Sequence, residues 1–521
     1  MPKITVNGKE IEAPAGTNLI QAARLAGAEV PHFCYHPGLS VAGNCRMCLV
    51  EIEKAPKLQI ACNTAVAEGM VVLTESDKVK KARQGVMEFL LLNHPIDCPI
   101  CDCAGECYLQ DYYMAHDRNP SRFPLGKNKK EKAQDIGPHV MLDKERCVLC
   151  SRCVRFTDEI SKTHELGIFG RGSTEEIGLA EGTRLDNDYS GNVVDLCPVG
   201  ALTDKDFRFK SRPWFLKETE TVCGGCAQGC NIVLNTNTNP YNKVGDKRAY
   251  RIYPRENAEV NQFWICDEGR YSYKAFDENR KESAGLSGAA VTLDFALERM
   301  AAGLKKAMDQ GKEGVAFLLS PQMTNEELWA WKWLAESLGV TQVAFGDDIR
   351  RSGKADGYLM KADKNPNSRG AQDQGISGPA QAMLDRASSG GLKALICIDH
   401  ELQDAAVVSG KLEFFGGIFS HSTPTERAAH VSLSRAVYAE QQGSFTNMHG
   451  RAQRVNKAME PLGDSKTGWE LAFLIGQRFG LAAPAADAAE IFRHIACYKG
   501  IAEEGHGSLG KLGLSAVQGA V

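Results

Sequence analysis

Apolar and polar residues alternate along the first two strands that the sequence predicts. In KITVNGKEIEA the alternation runs on both sides of Asn7-Gly8, a pair typical of the tight turn in a β-hairpin. The next segment, NLIQAARLAG, has helical spacing, with Thr17 as its cap and Gly27 at its C-terminal end. Residues 1–76 are therefore predicted to form a compact β-rich domain with one short helix.

A longer helix is predicted from residue 77 to residue 93, with Ser76 as its cap. Residues at intervals of three or four give this helix one stripe for burial: Val79, Ala82, Val86, Phe89 and Asn93. The helix would deliver His94 to the start of a segment that is dense in cysteine.

The second half of the chain has the pattern of a layered α/β fold. GVAFLLSP (314–321) and LKALICID (392–399) are short apolar runs suited to buried parallel strands. Helices are predicted in TLDFALERMAAGLKKAMDQ, NEELWAWKWLAESLG and WELAFLIGQRFG. Because strands and helices alternate, helices are expected to pack on a sheet. GSFTNMHGRAQ (443–453) is rich in turn residues and is interpreted as a structural turn in preference to a ligand loop.

Composition and charge exclude several classes of function. The 521 residues suffice for several domains, and a net charge of −4 gives no basic surface for nucleic acid. No run of eighteen apolar residues suggests a membrane span, and MPKITVNGKE lacks the apolar core of a signal peptide. A cytoplasmic location is expected, where clustered cysteines indicate metal before disulfide.

The cysteines are concentrated in one half of the chain. Sixteen of the eighteen lie at or before Cys266. Cys397 and Cys497 stand alone in the second half and are expected to be small core residues. Neither G-x-G-x-x-G nor G-x-x-x-x-G-K-S/T occurs, so the sequence predicts metal sites without a nucleotide site.

The first set of predicted ligands combines one loop with one remote cysteine. Its spacing is C-x10-C-x2-C-x13-C, from Cys34, Cys45, Cys48 and Cys62. Three thiolates in a loop and a distant fourth are typical of ferredoxins that hold a 2Fe–2S cluster, although plant-type spacing begins C-x4-C. A zinc ribbon is the alternative, but it more often shows two separate C-x2-C pairs. We predict a 2Fe–2S site.

The second set mixes imidazole with thiolates in HPIDCPICDCAGEC (94–107). Its members are His94, Cys98, Cys101 and Cys107, with the spacing H-x3-C-x2-C-x5-C. Cys103 competes with His94 for the fourth position. Because C-x-C is tighter than the C-x2-C of cubane loops, we predict His94 as the ligand and Cys103 as a bystander thiol.

Two further sets contain only cysteine. The third set joins CVLCSRC to a remote Cys-Pro in DLCPVGAL: Cys147, Cys150, Cys153 and Cys197. The fourth set joins CGGCAQGC to WICDEGRY: Cys223, Cys226, Cys230 and Cys266. Each is predicted to hold one 4Fe–4S cluster, with zinc as the weaker alternative.

In this order, the four sets resemble those of the large iron–sulfur subunit of bacterial respiratory complex I, the NADH:quinone oxidoreductase. NHPIDCPIC, RPWFLKETE and CPVGAL carry the same resemblance, which is specific through about residue 275. Beyond that residue the family has a domain related to molybdopterin oxidoreductases, and GSFTNMHGRAQRV resembles a segment of it. Less chain remains than that domain usually occupies, so we expect an abridged form.

The resemblance implies a multidomain α+β fold. Residues 1–76 would form a β-grasp 2Fe–2S ferredoxin-like domain, residues 77–140 a His/Cys3 4Fe–4S domain, and residues 141–215 a 4Fe–4S ferredoxin-like domain. Residues 216–275 would hold the fourth cluster, and residues 276–521 would form the abridged α/β molybdopterin-oxidoreductase-like domain.

Two departures from the family pattern change these expectations. The interval from Cys230 to Cys266 is longer than usual and implies an inserted β excursion around residues 235–261. Position 268 is Glu in CDEGR, where many pterin-binding relatives carry Lys. No molybdopterin is therefore expected.

The resemblance also implies a function in electron transfer. The chain would hold one 2Fe–2S and three 4Fe–4S clusters, with iron bound by the four sets and no catalytic residue of its own. A flavoprotein subunit that binds NADH and FMN, with its small 2Fe–2S partner, would supply electrons to the first set. They would continue through the third set to the second, and then to a ferredoxin-like subunit, toward quinone in the membrane. The fourth set would lie off this route. The protein would be peripheral, on the cytoplasmic side of the plasma membrane.

Three alternatives imply other chemistry. A formate dehydrogenase catalytic subunit would need a complete pterin domain and an active-site Cys or selenocysteine. An iron-only hydrogenase would need active-cluster cysteines in the second half, whereas an electron-transfer subunit linked to an NAD-dependent hydrogenase is compatible with the sequence. A structural zinc protein would be colourless, whereas a cluster protein is brown.

Overall fold

The structure is a computed structural model that describes residues 1–117, 120–238, 247–346, 353–376, 378–501 and 505–515. The chain divides into two compact units, Met1–Phe215 and Leu216–Val521. Helices and strands occur in both units, which confirms the predicted mixture of α and β structure.

The first unit combines short strands with short helices. Its strands are β1 (Lys3–Val6), β2 (Lys9–Glu12), β3 (Leu49–Ile52), β4 (Gln59–Ile60), β5 (Met70–Leu73), β6 (Gln134–Asp135), β7 (Val140–Leu142), β8 (Leu166–Phe169), β9 (Glu176–Leu179) and β10 (Leu202–Asp204). Its helices are α1 (Leu19–Leu25), α2 (Asp77–Leu91), α3 (Tyr108–His116), α4 (Arg152–Glu159) and α5 (Asn192–Leu196). The loops between these elements carry most of its cysteines.

The N-terminal sheet confirms the predicted hairpin. β1 and β2 pair antiparallel on either side of Asn7 and Gly8, whose φ angles are 51° and 83°. A type I′ turn needs positive φ at both residues. The strand order is β2-β1-β5-β3-β4, with β1 parallel to β5, and α1 packs into the same apolar core.

The cap of α1 differs from the prediction by one residue. The side chain of Asn18, not that of Thr17, accepts a hydrogen bond from the Gln21 amide at 3.0 Å. The Thr17 carbonyl accepts from the Val66 amide at 2.9 Å, which keeps Thr17 in the extended segment before the helix.

α2 begins where the sequence predicts, and Ser76 caps it by accepting from the Val79 amide at 3.4 Å. It ends at Leu91, two residues before the predicted end. Of the predicted stripe, however, only Val79 is fully buried, and the rest of the stripe is wrong. The residues that α2 buries are spaced four apart: Val79, Arg83 and Met87. Phe89 is 76% exposed.

The buried Arg83 accounts for this difference. Its guanidinium donates to the Glu75 carboxylate at 2.9 Å and to the Leu49 carbonyl at 3.2 Å. A charged group that is paired in this way can occupy a core position, and its methylene stem packs like an apolar side chain. A prediction from hydrophobicity places a charged residue such as Arg83 on the surface. The predicted buried face of α2 is therefore rotated away from the face that is buried in the structure.

The second unit is larger and has a central sheet. Its strands are β11 (Leu216–Val222), β12 (Asn231–Asn237), β13 (Ala249–Pro254), β14 (Ala284–Leu286), β15 (Ala289–Val291), β16 (Val315–Leu319), β17 (Gln342–Phe345), β18 (Gly378–Pro379), β19 (Ala394–Ile398), β20 (Phe414–Phe419), β21 (Val431–Ser434), β22 (Gly443–Thr446), β23 (Arg451–Val455) and β24 (Leu514–Ser515). Its helices are α6 (Asp267–Arg270), α7 (Leu293–Met308), α8 (Asn325–Leu338), α9 (Ser368–Asp373), α10 (Ala380–Ser388), α11 (Ala405–Lys411), α12 (Pro424–Ala428), α13 (Gly468–Arg478) and α14 (Ala488–His494).

The central sheet confirms the predicted α/β packing. Its order is β15-β14-β21-β20-β19-β16-β17-β18, and the strands from β21 to β18 pair in parallel. Both strands predicted from apolar runs, β16 and β19, are buried at every residue. Phe317 faces the core formed with α7, α8 and α13, whereas the adjacent Leu318 faces the core formed with α10 and α11.

The two isolated cysteines differ from each other. Cys397 is fully buried in β19, as expected. Cys497 is exposed, so the expectation of a core residue is wrong for it. It lies in the short turn Ala496–Tyr498, where Tyr498 takes the buried position instead.

GSFTNMHGRAQ forms the hairpin of β22 and β23. The Asn447 side chain accepts from the amides of His449 and Arg451, both at 3.0 Å, and so closes the turn. The prediction of a structural turn is confirmed.

A buried ionic network links the central sheet to α8. The Arg435 guanidinium, after β21, donates to Glu327 at 2.6 Å and to Asp399 at 2.5 Å. The side chains of these three residues are 3%, 0% and 11% exposed. The Glu327 carboxylate also accepts from the Thr324 amide in the capping box of α8, so a helix terminus and two strand ends share one group of charges.

Removal of Arg435 is predicted to destabilise the second unit strongly. Arg435→Met would leave two buried carboxylates without their cation, a loss that typically costs about 3–5 kcal/mol. Lys457→Met is the matched control, because it breaks an ion pair with Glu460, whose side chain is 84% exposed, and should cost less than about 1 kcal/mol. Urea unfolding followed by tryptophan fluorescence measures both, since Trp214 alone among the six tryptophans lies outside this unit. Equal stability of the two variants would contradict the prediction.

Candidate iron–sulfur sites

The structure brings the four cysteines of the first set together. The Cys34 thiol accepts hydrogen bonds from the thiols of Cys45 and Cys62, which hold its pKa well below the usual value. The Cys62 thiol also donates to Cys48, whose pKa is lowered as a result. Cys62 comes from the short turn Ala61–Asn63 after β4, and the Ala61 amide donates to the Cys48 carbonyl at 3.0 Å.

Backbone amides point at the sulfurs of the first set. The amides of Cys45 and Asn44 lower the pKa of Cys34, and those of Cys62 and Ala61 lower the pKa of Cys48. Hydrogen bonds of this kind stabilise the thiolate form, which is the form that binds metal. The contacts that lower the pKa values of Cys34 and Cys48 raise those of Cys45 and Cys62, so without a bound metal two of the four thiols keep their protons.

The second set lines a cavity of about 760 Å³. His94, Cys98, Cys101 and Cys107 all contribute to its wall, together with apolar side chains of α2 and α3. Cys103 lies outside that lining. All four predicted ligands therefore face one space.

His94 has a buried ring nitrogen, Nδ1, without a hydrogen-bond partner among the described residues, as expected of a metal ligand. Burial lowers the pKa of His94 from 6.5 to about 4, so the imidazole is neutral and keeps a free lone pair at pH 7. An unpaired buried nitrogen costs free energy unless something binds it, and an iron centre would do so.

Cys103 has a different environment. Its thiol donates to the sulfur of Cys107, and this contact is the main cause that raises the pKa of Cys103 far above its usual value. It also lies 3.7 Å from the Glu106 carbonyl. These contacts are those of a thiol that supports a ligand, and they favour the prediction of His94 as the fourth ligand.

The third set surrounds a small cavity of about 20 Å³. Cys147, Cys150 and Cys153 lie in the loop before α4 and in its first turn, and Cys197 follows α5. All four line the cavity. Burial raises the pKa of both Cys147 and Cys197 to about 12, so their ionisation depends on a bound cation or metal.

The fourth set lies in the second unit, at the turn between β11 and β12. Cys223, Cys226 and Cys230 occupy that turn, and Cys266 caps α6 by accepting from the Gly269 amide at 3.4 Å. A Cβ on Gly269 would lie 3.1 Å from the Cys223 sulfur, so the absence of a side chain allows the two segments to approach. The Gly225 amide donates to the Cys223 sulfur at 3.4 Å.

The excursion predicted around residues 235–261 is present as the antiparallel pair of β12 and β13. Residues 239–246 of that excursion lie outside the described part of the chain. The Glu268 carboxylate accepts from the Lys364 ammonium at 2.6 Å, and the neighbouring Asp363 carbonyl accepts from the Ala227 amide at 3.0 Å. Lys364 therefore places a cation beside Glu268, the residue that stands where many pterin-binding relatives carry Lys.

The second and third sets are in direct contact. Asp97, before Cys98, accepts two hydrogen bonds from Arg146, before Cys147, at 3.2 and 2.8 Å. On the other side of the site, a Cβ on Gly200 would lie 2.4 Å from the Cys101 sulfur. Glycine at position 200 thus lets the loop after Cys197 lie against a ligand of the second set.

The first and third sets are also in contact. Arg152 donates to the carbonyls of Tyr35, at 2.5 Å, and Leu196, at 3.2 Å, and each of these residues is adjacent to a predicted ligand. The Asn44 side chain donates to the Leu149 carbonyl at 3.1 Å. One apolar cluster contains ligands of the first three sets, including Cys34, Cys107 and Cys150.

Within the described ranges, no three His, Cys, Asp or Glu side chains form a group that could hold a metal ion. A cluster of several irons distributes its ligands over those irons, so its thiolates do not converge on one point. The fit of the residues rests instead on the shared cavities, the mutual sulfur contacts and the unpaired His94 nitrogen.

Sequence models of five families match consecutive parts of the chain. In chain order they are described as 2Fe-2S iron-sulfur cluster binding domain (2–77), NADH-ubiquinone oxidoreductase-G iron-sulfur binding region (83–122), NADH-quinone oxidoreductase subunit 3, ferredoxin-like domain (137–203), NADH-ubiquinone oxidoreductase NDSU1/NuoG-like, 4Fe-4S domain (216–274), and Molybdopterin oxidoreductase (364–478). Each ligand set falls within one of the first four ranges.

Curated relatives carry matching names. The chain is 39% identical over 372 residues to the NADH-ubiquinone oxidoreductase 78 kDa subunit, mitochondrial, of Candida albicans, covering 70% of this chain and 50% of the relative. It is 40% identical to NADH dehydrogenase (ubiquinone) iron-sulfur protein 1, mitochondrial, of Solanum tuberosum, covering 66% and 45%. It is 44% identical to an NADH-quinone oxidoreductase subunit of Rickettsia bellii, covering 54% and 40%. The chain thus spans about half the length of the curated relatives that it matches.

A solved structure described as a NAD+-reducing NiFe hydrogenase in the H2-reduced state has 29% sequence identity and a TM-score of 0.37, and covers 40% of this chain and 90% of that chain.

These matches define an iron–sulfur protein with 2Fe–2S and 4Fe–4S binding domains and a molybdopterin-oxidoreductase-type domain. Within that class, the chain is similar to relatives named as the large iron–sulfur subunit of NADH-quinone oxidoreductase, so the predicted resemblance is confirmed.

The sequence interpretation missed the residues that join the sets. They are Asn44, Asp97, Arg146, Arg152 and Gly200. A signal was present in ERCVLCSRCVRF, where arginines alternate with ligand cysteines in a chain of nearly balanced charge. Cations among buried thiolates have an electrostatic function that ligand spacing does not reveal.

Addition of one methyl group at Gly200 is predicted to disrupt the second site. The Cβ of Gly200→Ala would lie 2.4 Å from the Cys101 sulfur and 3.1 Å from the Cys103 Cβ, so the cysteine loop would have to move. We expect the iron content to fall by about four atoms per chain. Gly126→Ala is the control, because a Cβ at Gly126 meets nothing within 4 Å. Full iron content in Gly200→Ala would show that this contact does not matter.

Proposed function

We propose that this chain is an electron-transfer subunit of the peripheral arm of an NADH:quinone oxidoreductase. It would hold one 2Fe–2S cluster on the first set and one 4Fe–4S cluster on each of the second, third and fourth sets. The ligands are Cys34, Cys45, Cys48 and Cys62; His94, Cys98, Cys101 and Cys107; Cys147, Cys150, Cys153 and Cys197; and Cys223, Cys226, Cys230 and Cys266.

One observation carries the proposal: the loop of the third set contacts both the first set and the second. Arg152 reaches residues beside ligands of the first and third sets, and Arg146 reaches Asp97 beside Cys98. When bound, the clusters supply one-electron carriers in the series first, third, second. Direct contact between ligand loops keeps such carriers close.

The protein's own residues set the environment of each site. Amides of Asn44, Cys45, Ala61 and Cys62 stabilise thiolates of the first set, and Arg146 lies beside the second and third. His94 contributes a neutral ligand where the other three sets contribute only thiolates. Ligand charge, hydrogen bonds to sulfur and burial are the means by which a protein tunes cluster potentials.

Partners and location follow from the proposed role. Electrons would come from an NADH- and FMN-binding flavoprotein subunit and its small 2Fe–2S partner, and would leave to a ferredoxin-like subunit. Among the described residues, no helix is long and apolar enough to cross a membrane. We place the protein at the cytoplasmic face of the inner membrane as a peripheral subunit, and we assign the fourth set no step in this transfer.

Metal content tests the proposal directly. We expect about fourteen iron atoms per chain after anaerobic purification, as one binuclear and three cubane clusters, and EPR spectra of the reduced protein that show both types. Zinc in place of iron would contradict the proposal. Stoichiometric molybdenum would indicate a formate dehydrogenase subunit instead.

Replacement of His94 by cysteine is predicted to lower the midpoint potential of the second cluster. The variant exchanges a neutral imidazole for a thiolate, and the added negative charge disfavours the reduced form. Redox titration followed by EPR measures the shift, and an unchanged or higher potential would contradict it.

Cys103→Ser and His94→Ala are the controls for ligand identity. If His94 is the ligand, Cys103→Ser keeps the cluster and its iron, whereas His94→Ala loses about four iron atoms. The reverse result would assign the site to Cys103.

A further inference from the structure

One guanidinium, that of Arg155, reaches the ligand loops of both the first and the third set. Its Nη2 donates to the Cys34 carbonyl at 2.5 Å and to the Cys150 carbonyl at 3.3 Å. Its Nη1 donates to the Ser40 carbonyl, and its Nε donates to the Ser151 hydroxyl at 3.2 Å. All three nitrogens of the side chain are thus engaged, and two of the acceptors belong to predicted ligands of different clusters.

The shape of the side chain makes these contacts a positional constraint. The guanidinium is planar, and its donors form a fixed fork, so the acceptors cannot shift independently. Arg155 itself lies in α4, two residues after Cys153, so its backbone moves with the third set. The Ser40 amide donates to Glu159 of the same helix at 2.8 Å, which ties the first loop to α4 a second time.

The charge of Arg155 lies at the edge of an apolar region, because Arg155 is half-buried and its acceptor Ser40 is exposed. Cys34 and Cys150 are 1% and 8% exposed and share an apolar cluster with Phe33. Arginine stays protonated in proteins, and charges interact more strongly in such surroundings than in water. Glu159 and Arg152 are the neighbouring charged groups. The Glu159 carboxylate accepts from the amide and the hydroxyl of Ser40, so it is engaged on the loop of the first set.

We propose that Arg155 is a positioning residue that fixes the first cluster site against the third and holds one positive charge close to both. This rests on the proposed function. Reduction adds a negative charge to a cluster, so a fixed cation beside two clusters stabilises the reduced form of each. Removal of that cation lowers both midpoint potentials, and removal of the fork loosens the spacing between the two sites.

Two variants separate the effect of the positive charge from the effect of the hydrogen bonds that the guanidinium donates. Arg155→Gln removes both, and we expect the midpoint potentials of the first and third clusters to fall together. A tenfold change in each reduction equilibrium corresponds to about 59 mV for one electron. Arg155→Lys keeps the charge but cannot contact four acceptors, so the potentials stay near those of the wild type. In both variants, the magnetic interaction between the two reduced clusters, read as enhanced spin relaxation in EPR, becomes weaker.

Arg184→Gln is the control for charge, because its guanidinium is 57% exposed and pairs with Asp135. It should leave potentials and relaxation unchanged. The proposal is overturned if Arg155→Gln, with full iron content, shifts neither potential or only one, or if relaxation in Arg155→Lys equals that of the wild type. If Arg155→Gln loses iron, the spin relaxation measured by EPR in Arg155→Lys tests the proposal instead. Wild-type protein without iron would refute the proposed function itself, which is a different result.

Discussion

The structure of the first unit depends on the burial of anionic sulfur. Thiols in apolar surroundings resist ionisation, as the raised pKa values of Cys147 and Cys197 show, yet only the thiolate binds iron. The chain offsets this cost in two ways. Backbone amides lower the pKa values of Cys34 and Cys48 in the first set, and arginines lie among the predicted ligands of the other two. Because the same arginines bond to carbonyls of neighbouring loops, the groups that stabilise charge also join the sites.

The second unit is stabilised by apolar packing on its central sheet and by paired buried charges. Its central sheet is covered on both faces, and the buried carboxylates of Glu327 and Asp399 are paired with Arg435. The fourth set lies on a separate sheet of three strands: β11 and β12 bring three cysteines to a hairpin turn, and α6 brings the fourth. Neighbouring loops also hold that turn: the Ala227 amide donates to the Asp363 carbonyl at 3.0 Å, and the Met448 amide donates to the Ala227 carbonyl at 2.9 Å. The fourth set is therefore held by contacts within its own unit.

The sequence predicted elements wherever local chemistry determines them. Asn7 and Gly8 require positive φ in a tight hairpin, and β16 and β19 are apolar at every position because both faces are covered. The predictions failed where a distant contact decides. Arg83 is buried through Glu75 and Leu49, and Cys497 is exposed because Tyr498 fills the core beside it. Spacing grouped the predicted ligands into four sets, whereas the series first, third, second came only from the family resemblance, because the contacts between sets depend on arginines that ligand spacing does not reveal.

The position of His94 depends on tertiary structure and not only on the spacing of the predicted ligands. It follows α2, outside the loop that carries its three cysteine partners, so its position depends on how α2 is anchored. The Arg83 guanidinium anchors that helix through Glu75 and the carbonyl of Leu49 in β3. A sequence pattern can place a histidine four residues before a cysteine, but it cannot orient the ring. In this fold the ring is directed into the cavity, with Nδ1 unpaired, by the helix and its buried arginine. The prediction of His94 as a ligand therefore depends on the packing of α2 as well as on the cysteine loop.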